Sequence, residues 1–92
     1  MATALRLRIE GRVQGVGYRA WLEREARSRG LRGWVRNRRD GSVETLLIGD
    51  DQAIEAMIPA CARGPRLAGV TGIERTQGTD DGRAGFDVLP TI

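Results

Sequence analysis

Gly11-Arg12-Val13-Gln14-Gly15-Val16-Gly17-Tyr18-Arg19 is the stretch where the chain changes period. Before it, Leu5, Leu7 and Ile9 alternate with Arg6, Arg8 and Glu10, the two-residue rhythm of a strand with one buried face. Val13 extends that rhythm to the edge of the loop. After it, Tyr18, Trp21, Leu22 and Ala26 fall on one face at helical spacing. Three glycines between the two patterns let the backbone take turns closed to other residues. They end where a helix begins, so free N–H groups and the positive end of the helix dipole meet there. That combination suits an anion, and Arg19 adds a permanent charge able to grip a phosphate with two hydrogen bonds.

The outer face of this helix pairs Glu23 with Arg27 and Glu25 with Arg29, each four residues apart in the favourable order, and Gly30 supplies its stop. Residues 31–38 read as a second strand with Trp34 its largest apolar side chain. Arg38-Arg39-Asp40-Gly41-Ser42 signals a hairpin, and residues 42–48 form the third strand. Gly49-Asp50-Asp51 breaks that strand and offers an aspartate cap. Ile54, Met57, Ile58 and Cys61 then make the buried stripe of a second helix. Pro59 inside it is expected to kink or shorten the helix, and Gly64-Pro65 ends it. Residues 68–76 form a fourth strand, residues 77–85 a polar loop, and Phe86, Val88 and Leu89 a short last strand.

The order strand–helix–strand, strand–helix–strand predicts an α+β fold of the ferredoxin-like kind: a split βαβ-βαβ arrangement, its antiparallel sheet covered by two helices on one face. A right-handed crossover makes the first and second strands parallel, with the third between them. The ends of both strands therefore lie at one end of the sheet, roughly 10 Å apart across two strand spacings. The first ends in the glycine loop and the second at Arg36-Asn37-Arg38, which places Asn37 across from Arg19. An asparagine offers a donor and an acceptor without charge, so it can hold a water but is a poor base.

Composition narrows the chemistry. The 92 residues suit one small domain over 1–92, and 40% of them are hydrophobic. Histidine is absent and Cys61 is the one cysteine, which excludes zinc sites built from these residues and Ser-His or Cys-His catalysis. Lysine is absent too, so all 15 positive charges are arginines, most simply a composition bias. The net charge of +3 favours anionic partners only weakly, because 12 acidic residues are interspersed. No apolar run reaches membrane-spanning length and no secretion segment precedes the first strand, so a cytoplasmic protein without a membrane partner is expected. The third strand has no aromatic on which a base would stack, which argues against a nucleic-acid partner. Arg36, Arg38 and Arg39 read as a solvated hairpin face, Trp21 and Trp34 as core or core-edge, Cys61 as a buried apolar residue, and Asp80-Asp81 as loop rather than metal site.

Gly11 to Arg19 resembles the first signature of the acylphosphatase family: glycine, a variable residue, Val-Gln-Gly-Val, a variable residue, an aromatic, arginine. Gly30-Leu31-Arg32-Gly33-Trp34-Val35-Arg36-Asn37, followed by Asp40-Gly41-Ser42-Val43-Glu44, resembles the second, at the family's spacing. Two long motifs in register are far more specific than one glycine-rich match. The resemblance implies metal-independent hydrolysis of the carboxyl–phosphate anhydride of acyl phosphates to carboxylate and inorganic phosphate, with no cofactor. It implies that Gln14, Gly15, Val16, Gly17, Tyr18 and Arg19 form the phosphate loop, and that Arg19 and Asn37 are the catalytic pair, Asn37 orienting the attacking water. Glu10 stands where many members carry histidine and is expected to weaken anion binding slightly or to pair with Arg12. A free-standing monomeric enzyme acting on a small acyl phosphate is expected. The alternative is a non-catalytic regulatory module of the same fold that binds phosphate or carbamoyl phosphate.

Overall fold

The computed structural model describes residues 2–92. Its elements follow the order β1 (Ala2–Arg12), α1 (Tyr18–Ser28), β2 (Arg32–Asn37), β3 (Val43–Asp50), α2 (Asp51–Arg63), β4 (Gly69–Gln77) and β5 (Phe86–Val88). The strands make one sheet in the order β4-β1-β3-β2-β5. β3 runs antiparallel to both β1 and β2, so β1 and β2 are parallel and end on the same side.

The expected antiparallel sheet is formed by β4, β1, β3 and β2. The fifth strand makes it mixed, because β5 lies parallel to β2, with Phe86 opposite Gly33 and Val88 opposite Val35. The polar loop before it carries the chain past the free edge of β2, and the backbone N–H of Gly33 donates to Gly85 O (3.0 Å) as β5 begins.

Both helices cover one face of the sheet. Leu7 and Ile9 of β1, Val35 of β2 and Val43 and Leu47 of β3 pack there against Tyr18, Leu22 and Ala26 of α1 and Ile54, Met57 and Cys61 of α2. Burying a side chain such as Leu22 or Ile54 contributes about 1.5–3 kcal/mol. Tyr18 also ties the helices together, its hydroxyl donating to the Cys61 carbonyl at 2.7 Å. Burial raises the Tyr18 hydroxyl far above its ordinary pKa and pushes the Cys61 thiol up to about 12, so both groups stay neutral.

Pro59 neither ends nor shortens α2, which continues to Arg63. Pro59 itself is exposed, while Met57, Ala60 and Cys61 around it are buried and hold both halves of the helix on the sheet. β3 also runs further than expected. Its pairing with β1 carries Gly49 and Asp50 along, and Asp50 then caps α2 by accepting the Gln52 N–H at 3.1 Å.

The opposite face of the sheet is covered by arginine stems rather than helices. Trp34, expected in or beside the core, lies here with Leu46 and Ile48, and the guanidiniums of Arg36 (4.6 Å from the ring centre) and Arg6 (5.8 Å) lie over its ring. Glu44 is buried among Arg6, Arg36 (2.8 Å) and Arg38 (3.1 Å). Burial alone would raise its pKa. The hydrogen bonds from Arg36 and Arg6 outweigh that and hold the carboxyl below its ordinary value. Arg36 and Arg38 are thus half-buried and paired, not a solvated hairpin face. Strand parity is the reason: Trp34 and Arg36 share this side, which leaves Val35 and Asn37 to the helix side. Glu10 pairs with Arg8 (3.6 Å) rather than Arg12: both are two residues away, but the register shift between Glu10 and Gly11 breaks the strand alternation on the Arg12 side.

Candidate active site

The site begins at a β-bulge. The pairing of β1 with β4 shifts register between Glu10 and Gly11. Gly11 has φ +118°, and a Cβ there would stand 2.2 Å from the carbonyl oxygen of Gly69. Only glycine lets β1 approach β4 this closely and bend away into the loop. Six residues on, Gly17 occupies the cap position of α1 with φ +79° and ψ +19°, the left-handed conformation. No side chain caps this helix and no acidic residue lies in its first turn. Its leading N–H groups are therefore left for something else, with the dipole's positive end behind them.

Arg19 stands in this first turn, where a cation opposes the dipole. Among the described residues it has no ion-pair partner. Glu23, one turn on, is held by Arg27 at 3.0 Å. Arg19 and the loop form one wall of a cavity of about 300 Å³ lined by Val13, Gln14, Gly15, Gly17, Tyr18, Arg19, Ala20, Glu23, Asn37 and Val88. Asn37 faces them from the last position of β2. Its carbonyl oxygen Oδ1 is buried and, among the described residues, without a hydrogen-bond partner. Its backbone carbonyl is fixed, accepting the N–H of Ile92 at 3.2 Å. The side chain is thus anchored at its root and unengaged at its tip.

Five of the six loop residues named from the sequence line the cavity, together with Asn37. Val16 does not line it: its side chain turns inward and packs on the core. The Tyr18 ring is buried too, its hydroxyl held by the Cys61 carbonyl rather than free for a ligand. The Gln14 side chain is engaged elsewhere, as described below.

A family model for acylphosphatases matches residues 5–88. An acylphosphatase of Bradyrhizobium diazoefficiens is 50% identical over 96% of this chain and 95% of its own. The chain belongs to the acylphosphatase family. The crystal structure of the acylphosphatase from Bacillus subtilis superposes with a TM-score of 0.91 at 38% identity, covering 97% of this chain and 99% of that one. The same fold recurs inside a larger protein: full-length HypF gives a TM-score of 0.91 at 25% identity, with 12% of its length covered. Free-standing relatives of matching length support acylphosphatase activity, and hence a hydrolase, over a regulatory module.

Beyond Glu23, which the sequence marks only as the helical partner of Arg27, three further cavity residues carry no site signal in the sequence. Val13 reads as the end of a strand, and Ala20 lies inside the helix pattern. Val88 comes from β5, and no sequence pattern says which strand a three-residue segment will join. Its place beside Asn37 follows from the parallel pairing of β5 with β2. In this acylphosphatase fold the three supply the apolar part of the cavity wall. Among the described residues no cluster of histidine, cysteine and carboxylates with metal-ligand spacing occurs, and Asp80 and Asp81 are bonded to Arg32 and Arg83.

Proposed function

We propose that this chain hydrolyses acyl phosphates in the cavity between the glycine loop and the end of β2, with Arg19 and Asn37 as the catalytic residues. The observation that carries the proposal is the meeting on one cavity of a guanidinium, a helix start and an asparagine amide that, among the described residues, are unpaired, uncapped and unengaged. The backbone N–H groups of Gly15, Val16, Gly17 and Tyr18, with Arg19, cradle the phosphoryl group. Asn37 holds a water opposite the acyl leaving group. The water oxygen bonds to phosphorus as the bond from phosphorus to the acyl oxygen breaks, and the carboxylate departs with that electron pair. A phosphate oxygen takes the water's proton, so no protein base is needed. A carboxylate leaves readily without a strong acid, so positioning and charge stabilisation suffice. Val13, Ala20 and Val88 give the acyl group its apolar contact.

The same reading makes residues 1–92 one domain, cytoplasmic, monomeric and without a nucleic-acid partner. One free, buried cysteine fits a reducing compartment, and no helix among the described residues is long and apolar enough to cross a membrane. Trp34 is covered by Arg6 and Arg36, which leaves the sheet face without an open stacking platform. Purified protein should hydrolyse acetyl phosphate and benzoyl phosphate in the presence of a chelator. Absence of hydrolysis under those conditions overturns the proposal. Sedimentation at assay concentration tests the monomer.

A further inference from the structure

The two halves of this site share no backbone ladder. β3 lies between β1, which delivers the loop, and β2, which delivers Asn37. A one-ångström error between phosphate and water would be felt in turnover. Arg8 of β1 pairs with Asp40 in the hairpin turn, and from the phosphate loop itself a second side chain crosses that gap. Nε2 of Gln14 donates to the carbonyl of Arg38 at 2.7 Å and to the carbonyl of Ser42 at 2.9 Å. Arg38 directly follows Asn37. Ser42 O also accepts the backbone N–H of Arg38 at 2.8 Å, so the two carbonyls held by Gln14 belong to the tight end of the β2–β3 hairpin. That hairpin end is fixed from its other side as well, by Asp40 accepting from the Ser42 N–H (2.9 Å) and hydroxyl (2.6 Å).

The chemistry required here is narrow. Two carbonyls converge on one nitrogen, so the group must carry two N–H donors and need not be charged. Glutamine meets this, and with both hydrogens committed to the hairpin, neither remains for a phosphate oxygen. Glutamate has the same shape but would set a carboxylate oxygen against two carbonyl oxygens. Asparagine has the right head on a stem one methylene shorter. Gln14 sits inside the loop and directly precedes Gly15, so its amide connects the backbone of the phosphate cradle to the residue next to Asn37.

We infer that Gln14 is a positioning residue whose side chain sets the distance between the phosphate cradle and the water held by Asn37. It rests on the assignment of the water to Asn37 in the proposed function. The side chain acts through the hairpin and not on substrate.

The test compares Gln14→Glu and Gln14→Asn with the parent, first by circular dichroism for folding, then by kcat on benzoyl phosphate and by competitive inhibition with inorganic phosphate. The expected result is a kcat lowered by about 10- to 100-fold, the scale of misplaced reacting groups, with the inhibition constant for phosphate near the parent value. A residue that only supports the fold would not divide kcat from phosphate binding in this way. Full turnover in Gln14→Glu or parallel loss of phosphate inhibition overturns the inference. If Gln14→Glu does not fold, Gln14→Asn carries the same comparison. An Asn37→Ala enzyme with intact turnover refutes the reading of the site and the Gln14 role with it. An inactive Asn37→Ala beside a fully active Gln14→Glu refutes the Gln14 role alone.

Discussion

Replacing Asn37 by alanine should abolish turnover and change stability little. Asn37 is half-buried at the wall of the cavity. Among the described residues its side-chain carbonyl has no hydrogen-bond partner, so no protein hydrogen bond is lost with it. Open space rather than packed neighbours lies beyond it, so the loss of packing is smaller than for a core truncation. The expected change is within about 0.5 kcal/mol, which for a domain of this size is a Tm shift of no more than about 2–4 °C. Urea denaturation followed by tryptophan fluorescence measures it, with the midpoint and the slope m near the parent values. The same protein should bind inorganic phosphate with the parent's inhibition constant, because the cradle and Arg19 are intact, while hydrolysis of benzoyl phosphate is lost. A stability drop larger than about 1 kcal/mol would show that the asparagine is a structural residue. Phosphate affinity falling in step with turnover would show that the division between binding loop and water site is wrong. Unchanged stability coupled to loss of activity is what a residue that serves the reaction rather than the fold should give.

Four other outcomes are expected. Arg19→Ala should lose both turnover and phosphate inhibition, since each charge-assisted hydrogen bond it would make is worth about 1.5–3 kcal/mol; retained phosphate inhibition would remove Arg19 from the cradle. Gly11→Ala should destabilise by more than about 3 kcal/mol in urea titrations, because φ +118° is strained for alanine and its Cβ would meet the Gly69 carbonyl. Glu44→Gln should cost about 1–2 kcal/mol at neutral pH, discounted for the partial exposure of Arg6 and Arg38. Because the folded-state pKa of Glu44 is depressed, its contribution is present above the ordinary glutamate value of about 4.3 and is lost as pH falls through the lower folded value; acid titrations of parent and variant should therefore converge at low pH. Turnover should vary little between mildly acidic and neutral pH, and a limb near 6.5, the ordinary histidine value, would contradict a mechanism without a protein base.

Much of this was legible in the residues because it is local or periodic. Leu5, Leu7 and Ile9 set the face of β1, and the change of period at Tyr18 set the start of α1. One crossover rule then carried Asn37 to the same end of the sheet as Arg19, eighteen residues earlier. What was not legible depends on partners. Three residues, Phe86 to Val88, say strand but not beside what, and the answer made the sheet mixed. The helix-breaking tendency of Pro59 lost to the buried side chains around it. Arg36 and Arg38 look like solvent residues by type, and become half-buried because Glu44 opposes Arg36 across the β2–β3 ladder. The tie from Gln14 to Arg38 and Ser42 spans two turns whose approach only the assembled sheet defines.

The strand order β4-β1-β3-β2-β5 also bears on how this protein comes into being. β1, nearest the start of the chain, is hydrogen-bonded on one side to β3 and on the other to β4, with Leu5 opposite Leu47 and also opposite Gln77. Long stretches of chain must close before these pairings return any free energy, which slows folding relative to domains built from local contacts. The glycine loop and Asn37 face each other only once β1 and β2 have both paired with β3. No fragment of the folding chain holds the cavity early, so recovery of hydrolysis on refolding reports assembly of the central three strands.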